Sequence, residues 1–460
     1  MSFSNIILLT DSYKVSHHRQ YPPDTETVYS YFESRGGGFP ETVFFGLQYY
    51  LKRYLAGSVV TRKRIEEAAQ LFEPHFGNAG LFHRAGWEHI LDQHDGRLPV
   101  AIRAVPEGTV TPVSNVLMTI ENTDPKCFWL TNYLETLLVQ VWYGSTVATQ
   151  SRAMKQMLVE SLEQTGDPSL IDFKLHDFGF RGVSSVETAG VGGAAHLTSF
   201  QGTDTFAGVI VARDFYGCPM AGHSIPAAEH STQNSWGREH EVDAMRNMLT
   251  QYPDGLVAVV SDSYDIFNAC QNLWGRELKD QVLNRDGVLV VRPDSGHPPD
   301  VVIKVLGLLG EAFGTETNSK GYRVLNPKVR VIQGDGIDRE MLKTILAATQ
   351  AAGWSTDNVA FGSGGGLLQK MNRDTSKYAF KCASVVVNGT EREVFKDPVT
   401  DPGKQSKRGR LALIRRGDKV VTVRDTERQT DESDLLVEVF RDGIVTREWN
   451  FEEVRERASL

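Results

Sequence analysis

Cysteine is scarce: Cys127, Cys218, Cys270 and Cys382 are the only four in 460 residues, far apart and without a CxxC pair. No Cys/His ligand cluster is evident along the chain, so neither a zinc site nor a disulfide framework is expected, and the four read as buried free thiols. Long apolar runs are missing too, none approaching the ~20 residues needed to span a bilayer. The opening MSFSNIILLTDSYK has only a short apolar stretch, Ile6 to Leu9, with an acid soon after it and no basic residue before it, unlike a signal peptide. These absences point to a soluble, cytoplasmic protein that uses no membrane. Positive charge is not in excess either: 49 Lys and Arg against 58 Asp and Glu give a formal charge of -9. That balance excludes a nucleic-acid binder as a whole but leaves room for a local basic pocket that receives a small anion. Low-complexity segments and repeats of roughly 20–50 residues are absent as well.

What remains is an ordinary globular composition, 40% hydrophobic and 23% charged, in a chain long enough for two or three domains. From Asn132 to about Gln164, Leu134, Leu137, Leu138, Val141, Met154, Met157, Leu158 and Leu162 recur at helical spacing, predicting an amphipathic helix. From about Leu170 the pattern changes to short β-branched runs that end in polar residues and glycine, each followed by a stretch able to form a helix. Seven such ends occur, at 173–182, 199–205, 222–231, 257–265, 288–296, 329–338 and 359–366. This alternation predicts an α/β fold: an irregular βα-barrel over 166–374, packed on an α+β domain built from 1–165 and 375–460. Within the latter, Arg410 to Val423 reads as a hairpin turning at Arg416-Gly417-Asp418. The basic cluster Lys404, Lys407, Arg408, Arg410, Arg415 and Arg416 reads first as solvated surface, with phosphate contact as the lesser reading.

In parallel α/β folds the carboxyl ends of the strands share one rim, so charged groups repeated there converge on one ligand. Any single acid at such a place can equally be a helix N-cap. GSGGG at 362–366, followed by Arg373, and the QGDG turn at 333–336 offer backbone free of Cβ atoms for phosphates, or are structural turns. Arg181 and Arg292 can hold pyrophosphate oxygens bidentately, or form structural ion pairs. Asp262 and Asp294 can bind ribose hydroxyls or a Mg²⁺ that accompanies pyrophosphate. His230, beside Glu229, suits proton transfer or transient phosphoryl acceptance.

Over nearly its full length the chain resembles the nicotinamide phosphoribosyltransferases, a family of type II phosphoribosyltransferases. The resemblance rests on TDSYK at 10–14, QYPP at 20–23, ENTDP at 121–125, KLHDFGFRGVSS at 174–185, GTDT at 202–205, PAAEHS at 226–231, SDSYDIFNA at 261–269, RPDSG at 292–296, VIQGDG at 331–336, FGSGGGLLQK at 361–370 and VFKDP at 394–398. It implies an enzyme that makes nicotinamide mononucleotide and pyrophosphate from nicotinamide and 5-phosphoribosyl 1-pyrophosphate, assisted by Mg²⁺, with ATP as a coupled co-substrate. It also implies a homodimer in which Phe178 of one subunit and Tyr13 of the other sandwich the nicotinamide ring.

By the same resemblance Asp204 accepts the carboxamide NH₂, near Ser224, and would repel nicotinate. Arg181, Arg292, Gly334, Asp335, Gly365 and Arg373 hold ring, ribose or phosphate, and Arg35, Lys381 and Lys396 are outer phosphate contacts. Asp262 and Asp294 lie near ribose and pyrophosphate, while His230 is phosphorylated by ATP with Glu229 in support. Two departures stand out: a short connection after Arg35 (GGGFPETVFFG) and Ala379 where a serine is expected near the phosphates. The compact loop resembles bacterial members. The rival readings are a nicotinate-specific enzyme, which Asp204 disfavours, a non-catalytic binding protein on the same scaffold, and a generic barrel aldolase or isomerase.

Overall fold

The computed structural model describes residues 4–400 and 405–460, and the chain divides into two compact units. The first comprises 1–149, 214–218 and 371–458; the second comprises 150–213, 219–370 and 459–460. Among the described residues no helix is long and apolar enough to cross a membrane.

The first unit is built on a seven-stranded antiparallel sheet in the order Thr390–Glu393, Tyr378–Val387, Thr25–Ser34, Val116–Asn122, Val100–Ala104, Val437–Arg441, Ile444–Val445. The strand Thr25–Ser34 is buried along almost its whole length, as a central position with both faces covered requires. Leu411–Arg416 and Lys419–Arg424 form the expected hairpin, turning through Gly417, which takes a positive φ of 58°. The short connection after Arg35 is held down because Gly38 N donates to Thr375 O at 3.0 Å. At Gly37, φ +108°, an added Cβ would stand 2.3 Å from the same carbonyl oxygen, so only glycine fits.

Acids neutralise most of the basic cluster near the carboxyl end. Lys407 pairs with Glu33, Arg408 with Glu393, Arg410 with Glu121 and Glu391, and Arg416 with Glu432. Arg408 and Arg416 are exposed, in keeping with a solvated surface, whereas Lys407 is partly buried against the buried Glu33; Lys404 lies outside the described residues.

Two expectations are corrected. The amphipathic stretch from Asn132 is not one helix but three, Leu130–Tyr133, Glu135–Leu138 and Val141–Thr165. Between the last two, Gln140 N, Trp142 N and Tyr143 N donate three residues back, to Leu137, Val139 and Gln140. Such tightened turns keep apolar residues on nearly the same side, so the periodicity runs through the break. Cys127 is also not a solitary thiol: its sulfur lies with ligand atoms of His89, His94 and Asp124, all within 4.8 Å of one another. Folding brings together residues spaced H-x₄-H and D-x₂-C, which no linear CxxC pattern would display.

The second unit is a ring of parallel strands. Six of them pair in the order Gly202–Thr203, Leu175–Asp177, Val359–Ser363, Val329–Gln333, Asp286–Arg292, Asp254–Val260. The segment 222–228 joins the two edges by parallel bridges, His223 to Gly202 and Ala227 to Ala258. All seven strand ends anticipated from the sequence thus belong to one irregular barrel. Ala258, Val290 and Ile332 fill part of its interior, and Phe178, Ile225 and Ala360 pack against them.

Candidate active site

The rim at the carboxyl ends of these strands carries most of the sequence candidates. Phe178, Phe180, Arg181, Asp204, Glu229 and Arg292 line one cavity of about 890 Å³, large enough for a nucleotide-sized ligand. Phe178 follows the strand Leu175–Asp177 and is fixed by donation from its N–H to Ser363 O at 2.9 Å. Its ring lies over Gly362, where an added Cβ would be 2.0 Å from Phe178 Cε2. Gly334 also borders the ring, with the corresponding distance 3.3 Å. The first glycine of GSGGG therefore serves an aromatic ring rather than a phosphate. At Gly366 a Cβ would meet Ile337 O at 2.4 Å, whereas at Gly365 nothing lies within 4 Å, so only the latter borders open space.

Asp204 accepts a hydrogen bond from Ser224 Oγ on the bridging segment, and its N–H donates to Asp177 O at 2.9 Å. Ser224 thus aims one carboxylate oxygen and leaves acceptor capacity free for a ligand donor. Beneath it, Asp177 is buried and accepts from Gly179 N at 2.7 Å. Burial pushes the Asp177 carboxyl up to about 7 in spite of that bond, and the negative charge of Asp204 adds to the push. Sequence reasoning passed over Asp177; its one signal was an acid immediately before Phe178 at the very end of a strand.

Arg292 closes the strand Asp286–Arg292, and its Nε is buried without a hydrogen-bond partner. Among the described residues its only ion-pair contact is a long 4.0 Å approach to Asp294, so the structural ion-pair reading is weak. Arg181 makes no ion pair among the described residues. Two guanidinium groups with unspent donors on one cavity are what a phosphorylated ligand requires. Burial raises the Asp294 carboxyl above its ordinary value; Arg292 opposes this, and the charges of Asp262 and Asp335 add to it. Asp262 and Asp335 thus place like charge near Asp294, and carboxylate oxygens are the donor type that a hard divalent cation such as Mg²⁺ takes.

His230 Nε2 lies 2.9 Å from Asp262 Oδ1. The hydrogen-bond partner of the His230 ring is thus Asp262. Glu229 instead caps the helix His230–Asn234 and accepts from Ser231 Oγ. The N-cap alternative is realised at Asp265 and Asp338, whose carboxylates accept from N–H groups of the helices they precede, but not at Asp262.

The remaining candidates belong to the first unit. Tyr13 is 60% exposed, unusual for a large aromatic side chain. Arg35, Arg373 and Lys381 form one basic group, with Lys14 as a member that sequence reasoning missed. Burial pulls the Lys381 ammonium below its ordinary value, and Arg35, Arg373 and Lys14 add to this against the attraction of Glu135. Lys396 is exposed, and its N–H donates to Ser406 Oγ at 2.8 Å. Ala379 pairs with Glu33 in the sheet.

A closed ring of parallel strands with arginines and carboxylates on its rim is the architecture of a type II phosphoribosyltransferase. Residues 173–444 match the nicotinate phosphoribosyltransferase family, and residues 5–102 match the amino-terminal domain of nicotinamide phosphoribosyltransferases. The chain is 53% identical over 468 positions to a nicotinamide phosphoribosyltransferase of Xanthomonas campestris pv. campestris, covering 99% of this chain and 98% of that protein. It is 33% identical over 503 positions to one of Acinetobacter baylyi, with 99% and 98% covered. A crystal structure of nicotinate-nucleotide pyrophosphorylase from Pyrococcus furiosus shares the fold, with a TM-score of 0.61 at 17% identity over 99% of this chain and 95% of that one. The chain belongs to the nicotinate phosphoribosyltransferase family, and is an enzyme of its nicotinamide phosphoribosyltransferase branch.

Proposed function

We propose that the protein transfers the 5-phosphoribosyl group of 5-phosphoribosyl 1-pyrophosphate to nicotinamide, giving nicotinamide mononucleotide and pyrophosphate in NAD salvage. The observation that carries this reading is Asp204, held by Ser224 on the cavity that Phe178 and the two arginines line. A carboxylate there accepts the carboxamide N–H of nicotinamide and repels the carboxylate of nicotinate. The relatives named nicotinamide phosphoribosyltransferases support the same substrate.

In this reading Phe178 stacks on the pyridine ring, Arg181 and Arg292 bind phosphate oxygens, and Gly334, Asp335 and Gly365 border the ribose phosphate. The uncharged pyridine nitrogen attacks C1′ as pyrophosphate leaves from an oxocarbenium-like centre, so the arginines act by stabilising departing negative charge. Asp262 and Asp294 would hold Mg²⁺, which supplies further positive charge to the pyrophosphate when bound. Arg35, Arg373, Lys381 and Lys396 are assigned to outer phosphates. His230, positioned by Asp262, accepts a phosphoryl group from ATP, coupling ATP hydrolysis to transfer. The protein acts in the cytoplasm as a homodimer, the partner's Tyr13 completing the stack on Phe178.

The test supplies purified protein with 5-phosphoribosyl 1-pyrophosphate, Mg²⁺ and either nicotinamide or nicotinate, each with and without ATP, and separates the products by chromatography. Preferential formation of nicotinamide mononucleotide, faster with ATP, is expected. Nicotinate turnover would instead identify an acid-specific enzyme, and no turnover a binding protein.

A further inference from the structure

Within the first unit, well apart in sequence from every rim residue, two histidines converge on one oxygen atom. His89 lies on the helix Arg84–Gln93 and His94 is the residue that ends it. Both Nε2 atoms are 2.7 Å from Asp124 Oδ2. Asp124 in turn is the N-cap of the turn Pro125–Cys127, which follows the strand Val116–Asn122 and carries Cys127 as its last residue. Asp124 Oδ1 accepts from Lys126 N at 2.8 Å, Asp124 O from Cys127 N at 2.9 Å, and the same carbonyl from Asn122 Nδ2 at 2.9 Å. The turn is thus a rigid knuckle that presents one carboxylate oxygen and one thiol to the same side. Including the Cys127 sulfur, the four ligand atoms lie within 4.8 Å of one another.

We propose that His89, His94, Asp124 and Cys127 form a structural site for a zinc-class divalent cation that clips the helix Arg84–Gln93 to the Pro125–Cys127 turn. The donor set decides the metal: two imidazoles, one thiolate and one carboxylate suit Zn²⁺, whereas Mg²⁺ and Ca²⁺ take oxygen donors. Size agrees. A tetrahedral ion with bonds of about 2.0–2.3 Å sets its donors roughly 3.3–3.7 Å apart. The two 2.7 Å contacts would therefore open by under about 1 Å, and the 4.8 Å limit would close. His94, at the end of its helix with a 26% exposed side chain, has room for that movement.

The hydrogen bond from Lys126 N to Oδ1 fixes the carboxylate so that Oδ2 points to the ion, as an outer-shell contact does in known metal sites. Cys127 is fully buried while His89, His94 and Asp124 are each partly exposed, so the ion reaches the sulfur from the histidine side. On binding, the thiol gives its proton to solvent and each imidazole moves its proton from Nε2 to Nδ1. One proton is released per ion, and nothing is oxidised or reduced.

The test uses the full chain, stripped with a chelator and titrated with Co²⁺ alone, then with Zn²⁺. Expected are a thiolate-to-cobalt charge-transfer band that saturates at one equivalent, its loss when Zn²⁺ displaces Co²⁺, and zinc retained on dialysis. Cys127→Ser should abolish the band while circular dichroism stays unchanged, and Zn²⁺ should raise the Tm of the parent but not of the variant. If Cys127→Ser does not fold, His94→Gln serves, with zinc affinity falling by about tenfold or more. No charge-transfer band, or one that survives Cys127→Ser, overturns the proposal. So does a stability loss in His94→Gln that is the same with chelator and with Zn²⁺, since that outcome identifies a hydrogen-bonded His–Asp–His clamp alone.

Discussion

His230 and Asp262 stand on adjacent elements of the barrel, joined below them by the Ala227–Ala258 bridge, with Nε2 and Oδ1 2.9 Å apart. The hydrogen bond orients the ring and leaves Nδ1 as its other nitrogen. His230→Ala should abolish stimulation by ATP, so that initial rates with and without ATP become equal. Asp262→Asn should lower transfer itself by about 100-fold, because the proposed function also assigns Asp262 to the pyrophosphate side. Steady-state rates for both variants check this; ATP stimulation that persists in His230→Ala would remove the phosphohistidine.

Asp204 accepts from Ser224 Oγ, and the proposed function has it offer its carboxylate to the carboxamide. Asp204→Asn keeps the shape, removes the charge and can donate to a carboxylate. Preference for nicotinamide over nicotinate, as the ratio of kcat/KM values, should fall by about 10- to 100-fold. An unchanged ratio in the folded variant would show that another group sets selectivity.

Gly362 carries no Cβ because Phe178 occupies that space. Gly362→Ala should displace the ring and cost about 1–3 kcal/mol of stability. KM for nicotinamide should rise more than KM for 5-phosphoribosyl 1-pyrophosphate, because the proposed stack puts the ring on the base and not on the phosphates. Equal changes in both would place Phe178 elsewhere in the mechanism.

The barrel was legible because most of its strands are short β-branched or apolar runs ending in polar residues, acids or glycines, a local signal that needs no knowledge of pairing. What those ends do to one another was not, because it depends on strand order. Asp262 reaches His230 only because the segment 222–228 lies beside Asp254–Val260, whereas the resemblance named Glu229 as the support. GSGGG read as a phosphate cradle because glycine reports only that something comes close; at Gly362 that something is an aromatic ring. Asp177, marked in the sequence only as an acid before Phe178, acquires its character from burial, which composition cannot express.

Asp177 also makes stability depend on pH. Its carboxyl is raised from an ordinary 3.8 to about 7 by burial. The folded state therefore binds a proton that the unfolded state has lost between these values, and stability falls as pH rises from about 4 to about 7, then levels off. Asp177→Asn, which keeps an acceptor for Gly179 N, removes the dependence. Its Tm relative to the parent should improve from pH 4 to pH 8, with an upper bound of about 4 kcal/mol on the change. A constant difference across that range would mean that Asp177 is ionised throughout.

Tyr13 and Phe178 lie on different units of the chain, and the proposed stack takes one from each subunit of a dimer. Tyr13→Ala and Phe178→Ala should each be nearly inactive alone. Mixed, unfolded and refolded together in equal amounts, half of the dimers are hybrids, and each hybrid holds one site with both aromatics intact. The mixture should therefore recover about a quarter of the parent activity, since a two-fold dimer contributes the same pair at both of its sites. Recovery depends on the two rings coming from different chains: if one subunit supplied both, every site in every dimer would lack one aromatic and activity would stay at the level of the single variants.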